Sequence, residues 1–256
     1  MSLRKVWASI VPLIFVFSVG CGGDTGAPTE STSPEPVEES ASTGSAGISG
    51  KVTVEGDVPE AEVIRMNADP VCLSEASGDQ QLSEFFLLGE EGALGNVFVY
   101  VKEGVNGTFD APSSTVTMDQ KGCRYTPHVF GIQVGQTLTI VNSDPTLHNV
   151  HALPASNEEF NMGQPVQGMK VDRAFDTEEI MVPFKCDVHG WMNAYVGVLS
   201  HPFFAISGEG GNFSIDNLPA GDYVIEAWHE KLGTQTQNVT VGDGEKQEIS
   251  FAFSAS

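Results

Sequence analysis

From Ile48 to the C-terminus the hydrophobic pattern repeats every second residue. Val97, Val99 and Val101 alternate with Phe98 and Tyr100; Tyr223, Ile225 and Ala227 alternate with Val224, Glu226 and Trp228; Ile249, Phe251 and Phe253 alternate with Ser250 and Ala252. Successive side chains of a strand point to opposite faces, so this alternation predicts strands that each lay one face on a core. Turn chemistry separates them at Gly208-Glu209-Gly210-Gly211-Asn212, Pro219-Ala220-Gly221-Asp222 and Gly242-Asp243-Gly244. No window carries a long amphipathic helix. Short strands with glycine-rich turns predict an all-β protein built of sandwiches or barrels. The stretch from Pro70 to Glu91 has no clear period and reads as an ordered loop.

The N-terminus has a different pattern. Arg4 and Lys5 precede an apolar run from Val6 to Gly20, interrupted by Pro12. That run is too short for a stable membrane span but suits the apolar region of a signal peptide, here residues 1–20. It ends in Ser18-Val19-Gly20-Cys21. Small residues before a lone cysteine resemble the bacterial lipobox, although Ser18 stands where leucine is usual. The resemblance implies that Cys21 is lipidated and becomes the mature N-terminus, and Gly22 after it implies sorting to an outer membrane. Plain cleavage with a free Cys21 thiol is the alternative. Residues 21–46 are rich in Ser, Thr, Pro and Gly, with five acids and no bases, as expected of an extended, self-repelling tether.

Charge narrows the partners. Over 256 residues, 12 Lys+Arg face 34 Asp+Glu, a net charge of -22. Removing Arg4 and Lys5 with the signal leaves 34 acids against 10 bases, or -24, five of the acids being in the tether. Nucleic-acid binding is excluded by this balance, and the membrane is met only through the N-terminal lipid. A hydrophobic content of 40% still permits a real core.

Two strings carry metal chemistry: Asn142-Ser143-Asp144-Pro145-Thr146-Leu147-His148-Asn149-Val150-His151, and Phe184-Lys185-Cys186-Asp187-Val188-His189-Gly190-Trp191-Met192. They offer one thiolate, two imidazoles and a thioether, the donor set of a type 1 (blue) copper site. A buried Cys and His, or a zinc site, would leave the Met unexplained. A binuclear copper site needs a second Cys that this loop lacks. His151 is three residues from His148 and in a strand points to the opposite face. His128, His201 and His229 have no ligand-spaced partners, and Met162 and Met181 are poorer axial candidates than Met192.

Residues 113–202 resemble a cupredoxin, with the ligand-loop length of amicyanin. The resemblance rests on His148-Asn149-Val150-His151, on Cys186, His189 and Met192 with two residues between neighbours, and on Val134-Gly135-Gln136-Thr137-Leu138 before a strand. It implies a Greek-key sandwich holding one copper through His148, Cys186, His189 and Met192. Asn149 would brace the ligand loops and hydrogen-bond the Cys186 sulfur. Gly190 and Trp191 depart from the Pro and Phe of amicyanins. The resemblance also implies an exposed His189 edge, among Trp191, Pro183 and Phe184, as the electron's route. With Cys21 and Cys186 assigned, Cys72 and Cys123 remain for a disulfide in an exported protein; the alternative is a second metal site using Cys123 and His128.

A second resemblance flanks the first. Gly211-Asn212-Phe213 followed by Leu218-Pro219-Ala220-Gly221-Asp222-Tyr223 is similar to carboxypeptidase-regulatory-like and rhamnogalacturonan-lyase-accessory modules, which are transthyretin-like or Ig-like β-sandwiches. Their opening strands resemble Gly47–Val52 and Gly95–Val99. Residues 47–112 and 203–256 would then be two halves of one sandwich interrupted by the copper domain. Trp228-His229-Glu230 reads as an amphipathic strand end with a core tryptophan.

Together these readings predict an exported electron carrier rather than an enzyme, an outer-membrane lipoprotein facing the periplasm or the cell surface. Its acidity would steer it to a basic redox protein such as a c-type cytochrome. A carbohydrate-binding or adhesive surface module, and copper storage or delivery, are the alternatives.

Overall fold

The structure is a computed structural model that describes residues 43–76 and 81–255. The signal peptide, Cys21 and most of the tether lie outside the described residues. Among the described residues no helix is long and apolar enough to cross a membrane. The period-two segments are strands, and the described residues are all-β apart from short helical turns.

One sandwich is built from the two ends of the described chain. β1 (Ala46–Gly56) runs antiparallel to β13 (Asn212–Leu218) and parallel to β16 (Lys246–Ala255). Facing this sheet is a second one in the order β12 (Phe204–Ile206), β2 (Phe98–Glu103), β14 (Gly221–His229), β15 (Gly233–Val241). Ile48, Val52, Val97, Val99, Val101, Ile225, Phe251 and Phe253 fill the space between them. The strands before the central segment thus pair with strands that follow it.

The central segment forms the other sandwich. Its larger sheet has the order β5 (Val129–Gln133), β11 (Asn193–Leu199), β10 (Glu179–Lys185), β7 (His148–Ala152), β8 (Phe160–Gln164). Its smaller sheet has the order β4 (Tyr125–Thr126), β3 (Val116–Gln120), β6 (Leu138–Asn142), β9 (Lys170–Arg173). Met118, Tyr125, Ile132, Leu138, Phe175, Phe184 and Val196 form the core.

The alternation in β2 predicts one buried face, yet Val97 to Val101 are all buried. Phe98 and Tyr100 face away from their own core and pack with Val129, Met181 and Leu199 of the central sandwich. Gly131 and Gly197 make that approach possible. A Cβ on Gly197 would lie 2.3 Å from Phe98, and one on Gly131 would lie 2.3 Å from Phe204. Trp228 is half-buried on this same face, with its ring 5.1 Å from that of Tyr195, and does not sit in the sandwich core. Polar groups close the seam: Tyr100 donates to Glu226 at 2.5 Å, and buried His128 pairs with Glu230. Met181 is thereby committed to the seam, and Met162 lies against Arg173.

The segment read as a loop contains a helix, α1 (Pro70–Glu75). Asp69 caps it, its Oδ1 accepting from the Val71 N–H at 2.7 Å, and Pro70 supplies a preset first turn. Six residues are too few for a helical period to show in the pattern. Tertiary contacts have to hold such a short helix, and here the Cys72–Cys123 disulfide does so, with an S–S distance of 2.02 Å.

Candidate metal centre

Local chain geometry builds the site. After β6, Asn142 Oδ1 accepts the Asp144 N–H at 3.0 Å, while Asn142 Nδ2 donates to the carbonyls of Thr146 and Gln164. This side-chain-stabilised turn buries Asp144 beneath the first residue of β7, His148. The Asp144 carboxylate accepts from the N–H groups of Gly122 (2.8 Å) and Cys123 (2.7 Å) and from His148 Nε2 (2.9 Å).

The other residues come from the β10–β11 connection. The Cys186 N–H donates to the Met192 carbonyl at 3.1 Å, and the Met192 N–H to the His189 carbonyl at 2.9 Å, curling the loop on itself. Asn149 Oδ1 accepts from Asp187 N–H at 2.7 Å, Val188 N–H at 3.3 Å and Cys186 Sγ at 3.3 Å. The His189 N–H donates to Cys186 Sγ at 3.3 Å.

These bonds bring His148, Cys186 and His189 together, with one ligand atom of each within 4.8 Å of the others. The two Nδ1 atoms are 3.0 Å apart, and Cys186 Sγ is 3.9 Å from His189 Nδ1. Met192 is buried in the same core cluster as Cys186. Cys186 is a free thiol, buried with His148 and His189.

The electrostatics favour a cation on thiolate and imidazole. Burial alone would lower the His148 pKa, but Asp144 and Cys186 outweigh it and push it up to about 9. Burial alone would raise the Cys186 thiol. Its contacts with His148 and with the surrounding N–H groups overcome that and hold it below the ordinary thiol value. Burial and the charge of His148 hold His189 below the usual imidazole value, against the pull of Asp69. The donor set, two nitrogens and one thiolate-prone sulfur in a water-poor pocket, fits a soft or borderline metal such as copper.

His189 differs from expectation. Its imidazole edge is covered: the residue is 3% exposed, with Asp69 Oδ2 3.1 Å and Cys72 Sγ 3.6 Å from Nε2. The disulfide-held α1 lies over it. Phe184, expected beside that edge, is part of the inner core. Trp191 does touch His189, with ring centroids 5.1 Å apart, and donates from Nε1 to the Cys123 carbonyl at 3.0 Å. It lines a cleft of about 330 Å³ with Ile64, Phe85, Tyr125 and Met192.

His151 hydrogen-bonds Asp187 at 2.9 Å and Glu159 at 2.7 Å, away from the three convergent residues. Cys123 is oxidised, and His128 is engaged by Glu230 and the Asn193 carbonyl. Neither forms a second metal site. Two carboxylates escape the sequence reading, Asp69 and Asp144. Asp69-Pro70 is a helix-start signature, and Asp144 lies inside the first metal-candidate string, four residues before His148.

No family model and no curated protein matches this chain. Solved structures do. A copper(I) amicyanin variant is 20% identical, covering 35% of this chain and 86% of its own, with a TM-score of 0.30. A purple cupredoxin from Nitrosopumilus maritimus is 22% identical, covering 32% of this chain and 98% of its own, with a TM-score of 0.28. A copper-containing nitrite reductase from Thermus scotoductus is 22% identical over 40% of this chain, with a TM-score of 0.32; the match spans 25% of that reductase.

Proposed function

We propose that this protein is a cupredoxin-like carrier of single electrons, in which His148, Cys186 and His189 would hold one copper and the Met192 thioether would add a weaker fourth donor. The observation that carries the reading is the convergence of two imidazole Nδ1 atoms on the sulfur of a free, buried cysteine. A copper ion there would supply a one-electron couple that thiolate and thioether balance against imidazole. His148 and His189 orient their inner nitrogens, Cys186 supplies the sulfur, and Asn149 holds the loop against it. The buried surroundings keep water out, so the same residues can serve both oxidation states with little rearrangement. With all four ligands drawn from protein, no position is left for a substrate, which favours a carrier over an enzyme.

Because His189 is covered, the route we propose for the electron runs through Trp191 to the cleft it lines. The chain's acidity favours a basic redox partner, such as a c-type cytochrome. We read residues 47–112 and 203–256 as one supporting sandwich interrupted by the copper domain at 113–202. We read the N-terminal apolar run as an export signal and the lipobox-like Ser18-Val19-Gly20-Cys21 string as favouring a lipid anchor at Cys21, outside the cytoplasm. Loading the protein with Cu(II) tests the reading. An intense blue thiolate-to-copper band, absent from Cys186→Ser, is expected together with a reversible one-electron wave; a colourless product from the parent protein overturns it.

A further inference from the structure

Each imidazole of the site has its outer nitrogen on a carboxylate. His148 Nε2 is 2.9 Å from Asp144 Oδ2, and His189 Nε2 is 3.1 Å from Asp69 Oδ2. An ionised carboxylate only accepts, so each ring donates from Nε2. Neither carboxylate can drift. Asp144 also accepts two backbone N–H groups. Asp69 accepts two N–H groups of its own helix and the Thr146 hydroxyl at 3.0 Å.

The two carboxylates are also joined. Asp69 caps α1, α1 carries Cys72, Cys72 is bridged to Cys123, and the Cys123 N–H donates to Asp144 at 2.7 Å. A continuous chain of bonds runs from His189 through Asp69, the disulfide and Asp144 to His148. Asp69 and Cys72 come from the stretch between β1 and β2, outside the central sandwich that holds the rings.

We propose that Asp69, Asp144 and the Cys72–Cys123 disulfide act as one outer brace: positioning residues that fix both rings with Nδ1 turned to Cys186, with Asp69 also tuning the bound metal. A carboxylate on the far nitrogen makes a ligand imidazole a stronger donor. Its negative charge also favours the oxidised, more positive state of an ion bound on the other side of the ring. Asp69 has 19% of its side chain exposed, so solvent screens only part of that field. The effect on the ion rests on the copper reading above; the fixing of the rings does not.

Asp69→Asn tests this in the whole protein, since asparagine keeps the shape and the helix-capping acceptor. In the metal-free, 15N-labelled parent, His189 is expected as the Nε2–H tautomer with a slowly exchanging ring proton. In Asp69→Asn the tautomers mix and that proton exchanges faster. In the copper-loaded protein the blue band persists and the reduction potential rises. Cys72→Ser/Cys123→Ser, which frees the helix that Asp69 caps, shifts both readouts in the same direction. Ring signals of Asp69→Asn that superimpose on the parent's overturn the brace. So does an unchanged potential with the band intact. A parent without a blue band overturns the copper reading instead and leaves the ring signals to decide the brace.

Discussion

The side-chain oxygen of Asn149 lies 3.3 Å from Cys186 Sγ and accepts the N–H of Asp187 at 2.7 Å. One amide therefore holds the thiol and the backbone that follows it, across two strands that approach only at this end of the sheet. In Asn149→Ala those loop donors lose their acceptor in a partly buried site, where an unpaired group costs up to about 1–3 kcal/mol. Copper affinity, measured by competition with a chelator, should fall by about 10- to 100-fold, and the metal-free protein should also unfold at a lower temperature than the parent.

Trp191 touches His189 on one side and the open cleft on the other. In Trp191→Leu, electron exchange with a small one-electron metal complex should slow several-fold, with the absorption band and potential of the parent retained. Stopped-flow mixing gives the rate. An unchanged rate would point to the Asp69 side of the ring as the exit.

Phe98 sits where any side chain on Gly197 would have to be. Gly197→Ala should destabilise the protein by about 1–3 kcal/mol through overpacking. It should do so at the seam between the sandwiches, so chemical denaturation followed by Trp228 fluorescence and by amide signals of the two cores should separate into two transitions.

His229 is buried between Phe86 and Phe253, with ring centroids 5.3 and 6.2 Å away. Burial pushes its pKa down to about 4 from 6.5. Glu230 opposes that shift; His128 and Lys231 add to it. A group that binds its proton less readily when folded stabilises the fold above its unfolded pKa, and that contribution is lost as pH falls through the folded one. His229 should therefore remove on the order of 3 kcal/mol between about pH 6.5 and pH 4. His229→Phe should flatten the pH dependence of unfolding free energy in that window, whatever its effect at neutral pH.

The convergence of His148, Cys186 and His189 was legible because its pattern is local: Cys186 and His189 share one loop with Met192, and His148 lies beside the Asn149 that grips that loop. Asp69 was not, since it reaches His189 across 120 positions and comes from a helix too short to show a period. The covered edge of His189 follows from that long-range contact, which no local pattern encodes. The strands were legible from alternation, but alternation tells only that a strand has two faces. Val97 and Phe98 look the same whether the second face meets water or another sandwich. The aromatic residues at both Phe98 and Tyr100 were the available hint that it meets another sandwich.

X-ray absorption at the copper edge of the loaded parent protein tests the central claim most directly. The account predicts scattering from one sulfur at short distance and two imidazole rings, with the sulfur lost in Cys186→Ser. A first shell of oxygen and nitrogen alone, unchanged by that substitution, would contradict it.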